Sequence, residues 1–129
     1  MKKLFLVALT ISTATFATAQ ANVDALMKAG KLNEAVAELT TQITGQPNND
    51  ALLVKRGECF FAMDRYSDAM EDLDKAIEKN SKNGRAYARR SQLMQTLERP
   101  DDCLQDINKA IEYDDKPEYH FFKIGRAHV

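Results

Sequence analysis

The segment Lys75-Ala76-Ile77-Glu78 recurs in this chain as Lys109-Ala110-Ile111-Glu112, 34 positions later. Residues around the two copies follow the same step, and some of them recur a third time toward the N-terminus. The pairs are Leu53 and Tyr87, Gly57 and Ser91, Phe60 and Met94, and Asp72 and Asp106; the triplets are Ala35, Ala69 and Cys103, Leu39, Leu73 and Ile107, and Ile43, Ile77 and Ile111. A fixed period of about 20–50 residues is typical of a protein built from stacked repeats. The sequence therefore predicts a repeat array.

The apolar residues inside one period predict two helices. Leu53, Gly57 and Phe60 are spaced i, i+4, i+7, which places them on one face of a helix. After a short polar break, residues 69–77 carry a second helical stripe of apolar side chains, with charged residues assigned to the opposite, solvated face. Ser67 is the predicted N-cap of this second helix. The predicted fold class is all-α, and each unit is a helix–turn–helix hairpin.

With these features the unit resembles a tetratricopeptide repeat. The structural repeat positions that match are Gly57, Phe60, Tyr66, Ala69, Leu73 and Ala76 in one unit and Tyr87, Ser91, Cys103, Ile107 and Ala110 in the next. The resemblance implies a shortened first unit at about 22–49, full units at 50–83 and 84–117, and a truncated fourth unit from 118. It also implies that the units stack into a short right-handed solenoid over residues 20–123.

The first nineteen residues have the three-part layout of a secretory signal peptide. A basic start at Lys2 and Lys3 precedes an apolar run over 4–11 and a small-x-small site at 17–19. The run is shorter than the roughly 20 residues that span a bilayer. We expect cleavage near Ala19 and export of the mature chain, in a bacterium to the periplasm or the outside. A secreted eukaryotic protein fits the pattern less well.

The charge balance argues against nucleic acid and anionic membranes as partners. The chain has 18 basic and 19 acidic residues, a formal charge of −1. Residues 1–19 contain two lysines and no acid, so their removal leaves 16 basic against 19 acidic residues, or −3. Binding to those partners calls for a clustered basic excess, which this composition lacks. The absence of a Pro-rich or Gly/Ser-rich linker indicates one domain after the leader.

The two cysteines allow two interpretations in an exported chain. A bridge between Cys59 and Cys103 needs Cα atoms within about 7 Å. Cys103 stands in the place of Ala35 and Ala69 in the repeat register, which is typical of a small buried core residue. This pattern favours two buried, inert thiols over a disulfide.

No catalytic or metal-binding pattern is visible in the sequence. His120 and His128 are the two histidines, and neither has a partner at a metal-ligand spacing. The sequence has no Gly-rich phosphate loop, nucleophile elbow or His-Glu-x-x-His motif. We therefore expect a protein that is not an enzyme and that needs no cofactor.

The resemblance places function on the concave surface. In tetratricopeptide arrays the first helices of successive units line a groove that binds an extended or helical segment of a partner protein. The side chains expected in this groove are those of Ala51, Val54, Lys55, Glu58, Ala62, Arg85, Ala88, Arg89, Gln92, Gln95, Tyr119, Phe122 and Lys123. The candidate partner-binding residues among them are Lys55, Glu58, Arg85, Arg89, Gln92 and Lys123.

The cations Lys55, Arg85, Arg89 and Lys123 are expected to give this groove a positive bias. The predicted ligand is then an acidic segment or a free C-terminal carboxylate, which arginine pairs bind well. The alternative is that these are ordinary solvated helix residues. Arg85 and Arg89 also resemble half of the basic clamp of some eukaryotic co-chaperones. Lys55 stands where that clamp has an asparagine, however, and export separates the chain from cytosolic heat-shock partners.

The last six residues, 124–129, match what one reading frame of a common sequencing adapter encodes. We interpret them as a non-native tail, which implies that the native protein is longer. The sequence therefore supports two functions. One is an exported protein–protein interaction scaffold; the alternative is the N-terminal repeat region of a larger exported enzyme or envelope-assembly protein.

Overall fold

The computed structural model describes residues 18–19 and 22–127, and its regular elements there are all helices. The expected signal peptide lies almost entirely outside the described residues, as do the last two residues of the expected tail. Helix α1 covers 22–28, and the others are α2 (Leu32–Gly45), α3 (Asp50–Ala62), α4 (Tyr66–Lys79), α5 (Gly84–Thr96), α6 (Pro100–Tyr113) and α7 (Pro117–Ala127). The predicted all-α class is confirmed.

The helices pack as hairpins that follow one another in series. The most extensive packing joins α3 to α4 and α5 to α6, which are the two helices of one hairpin in each case. Helix α2 packs on α3, α4 on α5, and α6 on α7, so each hairpin also contacts the next. A single hairpin cannot bury its own apolar face, and the neighbouring unit supplies the missing cover. The chain is therefore a stacked helical-repeat solenoid, as predicted.

The helix starts repeat with the same period as the sequence. Helices α3 and α5 begin after Asn49 and Asn83, whose side chains accept the N–H of Leu52 at 3.3 Å and of Ala86 at 3.0 Å. Helices α2, α4 and α6 begin without a side-chain cap, after Lys31, Arg65 and Arg99. The turns before them contain Gly30, Asp64 and Glu98, with positive φ of 73°, 57° and 56°.

This turn explains why the predicted N-cap at Ser67 is wrong. The left-handed residue Asp64 reverses the chain early, so α4 already begins at Tyr66 and Ser67 lies within its first turn. The turn at Asp64 ends α3, since the N–H groups of Asp64 and Arg65 donate to the carbonyl oxygens of Phe61 at 3.0 Å and Phe60 at 2.8 Å, and α4 then begins without a capping side chain. Glycine takes the left-handed conformation without steric cost, and it occupies the position in the first of the three turns, at Gly30.

The core follows the repeat register. All the structural repeat positions are buried except Tyr66, which is half-buried and whose ring lies 5.7 Å from that of Phe61. The small residues mark close helix contacts: a Cβ at Gly57 would lie 3.3 Å from Leu73 Cγ and 3.5 Å from the backbone oxygen of Ala69. Helices α3 and α4 therefore approach each other closely at this point.

We expect Gly57→Leu to lower the free energy of unfolding by about 1–2 kcal/mol, because the new side chain overpacks the contact with Leu73. Glu78 is exposed on the same hairpin, so Glu78→Gln should change stability by less than about 0.5 kcal/mol. Thermal unfolding followed by circular dichroism measures both. Equal melting temperatures would contradict the close α3–α4 contact.

Asp72, which was predicted to lie on the solvated helix face, is buried, and so is its counterpart one repeat later, Asp106. Asp72 accepts hydrogen bonds from Arg56 Nε and Nη2, both at 2.7 Å, and only 3% of its side chain is exposed. Asp106 receives the same fork from Arg90, at 2.7 and 2.9 Å. Each pair joins the two helices of one hairpin, and the hydrogen bonds to the aspartates raise the pKa of both arginines. The solvated-face assignment of Asp72 is therefore wrong.

Both cysteines are buried free thiols. The interpretation that favoured two buried thiols over a Cys59–Cys103 disulfide is therefore confirmed. The Cys103 thiol donates to the backbone oxygen of Ser91 at 3.1 Å, and the Ser91 hydroxyl donates to the backbone oxygen of Cys103 at 3.0 Å. Burial, the largest cause, raises the pKa of the Cys59 thiol to about 11. The thiolate, which is the reactive form, is therefore disfavoured at Cys59.

We accordingly expect neither cysteine to react with a thiol reagent such as Ellman's reagent at about pH 8 in the native protein, because both side chains are 0% exposed. Both should react after denaturation in the absence of reductant. A denatured sample that releases no colour until reductant is added would show a disulfide and contradict the structure.

Candidate functional site

Three cavities follow one another along the side of the solenoid formed by α1, α3, α5 and α7. The Met27 pocket has a volume of about 250 Å³ and is lined by Met27, Gly57, Glu58, Phe61, Leu73, Arg89 and Gln92. The Phe122 pocket, of about 180 Å³, is lined by Ala88, Arg89, Gln92, Ile107, Glu118, Tyr119 and Phe122. The Lys116 pocket, of about 250 Å³, is lined by Arg85, Ala88, Arg89, Lys116, Glu118 and Tyr119. Together they form the groove.

Arg89 is at the centre of this groove. It lines all three cavities, and Gln92, one turn further along α5, lines the Met27 and Phe122 pockets. Arg89 Nη1 donates to Gln92 Oε1 at 3.2 Å. The two side chains form a polar ridge between two pockets whose walls are largely apolar. We call this pair the Arg89–Gln92 ridge.

Glu58 forms ion pairs with both arginines of the groove, Arg85 and Arg89. Arg85 donates through Nε and Nη2 to the two carboxylate oxygens of Glu58, both at 2.8 Å. Arg89 Nε donates to Glu58 Oε1 at 2.7 Å. The Glu58 side chain is 11% exposed, whereas those of Arg85 and Arg89 are 50% and 45% exposed. The hydrogen bond to Glu58 is the main cause that raises the pKa of Arg85, so this side chain stays a cation.

The positive bias of the groove is smaller than its cations alone suggest. Glu58 neutralises one charge of the Arg85 and Arg89 pair, and Asp24 on α1 lies 2.7 Å from Lys55 Nζ. These three cations and two carboxylates sum to a formal charge of +1, and Lys116 and Glu118, which also line the cavities, cancel each other. These pairings could not be predicted from the sequence, because Asp24 and Glu58 contact the cations only through the packing of different helices.

The arginines still have donors for a ligand. A guanidinium carries five N–H groups. Arg85 directs two of them to Glu58, and Arg89 directs one to Glu58 and one to Gln92. Both side chains are about half exposed, so the remaining N–H groups can reach a carboxylate or a carbonyl oxygen that enters the groove.

The structure brings together some of the candidate residues and separates others. Glu58, Arg89 and Gln92 line the Met27 pocket, and Arg85 lines the Lys116 pocket. Lys55 is only 15% exposed and lines none of the three cavities, and the exposed Lys123 also lies outside their walls.

The expectation for Val54 is wrong. It is 2% exposed and packs in the core with Leu53 and Ala86, because it faces the next unit rather than the groove. Sequence reasoning also missed Met27 and Phe61, which supply apolar wall of the Met27 pocket. Phe61 follows Glu58 by three positions and so shares its helix face, a spacing that could have revealed it.

Two further features of the described part of the chain bear on function. Residues 18–19 and 22–127 contain no cluster of three or more His, Cys, Asp or Glu side chains arranged to hold a metal ion. Over the same residues, none of the helices combines the length and the apolar character needed to cross a membrane.

Comparison with known proteins places this geometry in a fold family. No protein-family model and no curated protein matches the sequence. Solved structures do match, among them the first TPR of Spaghetti (RPAP3) bound to the HSP90 peptide SRMEEVD. That match has a TM-score of 0.80 and 20% identity, and covers 87% of this chain and 90% of that one. The chain has the tetratricopeptide-repeat fold.

Other structures with this tetratricopeptide-repeat fold support the same conclusion. The Arabidopsis OM64 TPR domain has a TM-score of 0.79 and 23% identity over 88% of this chain and 95% of that one. The Yersinia enterocolitica type III secretion chaperone SycD, in complex with a peptide of the translocator YopD, has a TM-score of 0.76 and 15% identity over 88% of each chain. At these identities the likeness establishes the fold.

Proposed function

We propose that this tetratricopeptide-repeat array is a protein–protein interaction scaffold that binds a segment of a partner in its groove. The observation that carries the proposal is the row of cavities around Arg89, where apolar walls alternate with exposed guanidinium donors. Pockets that combine apolar lining with a few convergent polar groups are typical of binding sites. Two neighbours of the same fold were solved with a bound peptide, one from HSP90 and one from YopD.

The ligand chemistry that we propose is an acidic segment or a free C-terminal carboxylate. Arg85 and Arg89 already bind one carboxylate, that of Glu58, with N···O distances of 2.7–2.8 Å. A ligand carboxylate can bind the remaining N–H groups beside Glu58, or replace Glu58 on one guanidinium. The basic clamp of eukaryotic co-chaperones is not proposed, since Lys55 is bound to Asp24.

The test uses fluorescence anisotropy with the full chain and a labelled peptide that ends in acidic residues. Its C-terminal amide and a lysine-substituted version serve as comparison ligands. We expect Arg85→Glu/Arg89→Glu to weaken binding at least tenfold, because each lost charge-assisted hydrogen bond contributes about 1.5–3 kcal/mol. The matched control is Arg65→Glu/Arg99→Glu, since both side chains are similarly exposed and lie at turns outside the groove. Unchanged binding by the groove variant would contradict the proposal.

We also propose that the array works outside the cytoplasm. The support is the leader pattern of residues 1–19. Expression of the full chain in a bacterium with two membranes, followed by fractionation and intact mass measurement, tests this. The expected product is periplasmic and begins at Gln20. A full-length cytoplasmic product would contradict it.

One observation favours the second candidate function, the N-terminal repeat region of a larger exported enzyme or envelope-assembly protein. Phe121 is 76% exposed, although its counterparts in the repeat register, Tyr87 and Leu53, are 9% and 3% exposed. A further helix would cover Phe121 as α6 covers Tyr87. Sequencing the source gene beyond the codon of Lys123 distinguishes the two functions: an early stop favours the compact scaffold, and a further domain favours the larger protein.

A further inference from the structure

The two largely apolar pockets of the groove lie on opposite sides of the same polar ridge. The Met27 pocket is between α3 and α5, with Met27, Phe61 and Leu73 in its wall. The Phe122 pocket is between α5 and α7, with Ile107 and Phe122 in its wall. Arg89 and Gln92, which form the ridge on α5, line both pockets. One ligand that crosses the ridge can therefore place an apolar side chain in each pocket.

The order of the helices along the groove sets the approximate distance that such a ligand must span. Helix α3 contacts α5, and packed helices have axes about 8–10 Å apart. Because the pockets lie on either side of α5, their separation corresponds to about one such step, or roughly 9 Å. A polyproline-II segment rises about 3.1 Å per residue and returns to the same face after three residues, or about 9 Å. In a β-strand the same face recurs after about 7 or 13 Å, which fits less well.

The ridge determines what lies between the two apolar side chains. Arg89 retains N–H groups that neither Glu58 nor Gln92 accepts, and the Gln92 amide oxygen is held by Arg89. The ridge therefore presents donors, and its preferred contact is an acceptor, with a carboxylate bound most strongly. An acidic residue between the apolar side chains can accept hydrogen bonds from the free N–H groups of Arg89. A lysine at the same position would be repelled by the positive charge of Arg89.

We propose that the groove recognises an extended, polyproline-II segment with two large apolar residues three positions apart and an acidic residue between them. One apolar side chain occupies the Met27 pocket and the other the Phe122 pocket. The backbone carbonyls between them accept from the Arg89–Gln92 ridge, and the acidic side chain, which points to the flank of the segment, binds the Arg89 guanidinium from the side. The proposal rests on the groove being the partner site, and it adds the register and the conformation of the bound segment.

The test is a set of labelled peptides that differ only in leucine spacing. The spacings of two, three and four residues are Leu-Glu-Leu, Leu-Glu-Pro-Leu and Leu-Glu-Pro-Pro-Leu, each flanked by proline and serine. A helical peptide with leucines seven positions apart spans a similar distance, about 10 Å. We expect the three-residue spacing to bind the full chain about tenfold more tightly than the others, because the others leave one leucine outside its pocket.

Two variants test whether the preference for the three-residue leucine spacing depends on the Phe122 pocket. Phe122→Ala removes part of its wall, and Ala88→Leu fills it without removing a side chain; each should weaken the three-residue peptide about tenfold and abolish the preference for it. The matched control is Phe121→Ala, the adjacent aromatic residue, whose side chain is 76% exposed and lines neither pocket. It should bind as the unaltered chain does.

The outcomes separate this inference from the proposed function. Equal binding of all spacings, lost in Arg85→Glu/Arg89→Glu, overturns the register and leaves the acidic-segment groove standing. Tightest binding of the helical peptide overturns the extended conformation. Binding that survives both Phe122→Ala and the arginine variant, or no binding of any peptide, overturns the register and the groove together.

Discussion

Gly84→Ala is expected to destabilise the protein by about 3 kcal/mol, at the upper end of the usual cost of overpacking. A Cβ on Gly84 would overlap Cβ of Asp114 and would lie 3.0 Å from the Asp114 backbone nitrogen and 3.1 Å from the Ala110 oxygen. These atoms belong to the end of α6 and to its C-cap, so they cannot rotate away as a side chain can. Relief requires that α5 and α6 move apart.

Gly45→Ala is the matched control, because Gly45 is also a helical glycine and has no atom within 4 Å of an added Cβ. It should raise stability by about 0.4–1 kcal/mol by reducing the freedom of the unfolded chain. Urea unfolding of the two variants gives the difference directly. If both glycines tolerate alanine equally, the close approach of α5 to the α6 C-terminus is incorrect.

Asp106→Ala is expected to lower the free energy of unfolding by about 2–3 kcal/mol, somewhat less than a fully buried pair because Arg90 keeps some contact with solvent. The Asp106 side chain is 7% exposed and accepts two hydrogen bonds from Arg90, whose side chain is 20% exposed. Its removal leaves a largely buried guanidinium whose remaining contacts are the exposed Asp74 and the face of the Tyr87 ring, 5.7 Å away. The melting temperature should fall by roughly 10 °C.

Asp74→Ala is the control, since Asp74 binds the same arginine at 2.8 Å but is 54% exposed. An exposed pair is worth about 0–1 kcal/mol, so this variant should differ little from the unaltered chain. The double variant Arg90→Met/Asp106→Leu should recover most of the loss, because it removes both charges together. Equal losses in the two single variants would show that burial of the pair does not determine its contribution.

The burial of Asp72 could have been predicted from the sequence. It lies three positions after Ala69 and four before Ala76, and these two residues belong to the buried stripe. Its spacing therefore indicated burial, and its charge was wrongly given more weight. The recurrence of Arg56 and Arg90 at the same step of 34 was the second signal, since a buried carboxylate needs a cation.

The helical class and the stacked repeats could be predicted from the order of residues along the chain. Both depend on local spacing: a stripe at i, i+3, i+4 defines a helix face, and small residues repeated at a fixed step define where helices meet. Gly57 and Cys103 could be assigned in this way without knowledge of any partner helix, and both are buried.

The charge and shape of the groove, in contrast, depend on how the helices pack against one another. Glu58 binds Arg85 and Arg89, which follow it by 27 and 31 positions in the chain. Met27 of α1 and Phe61 of α3 line the same pocket. Such contacts depend on the angle and offset between helices. The spacing of apolar residues within one helix does not specify either quantity. The net charge and shape of the groove are therefore properties of the packed array, whereas the existence of the array is a property of the sequence.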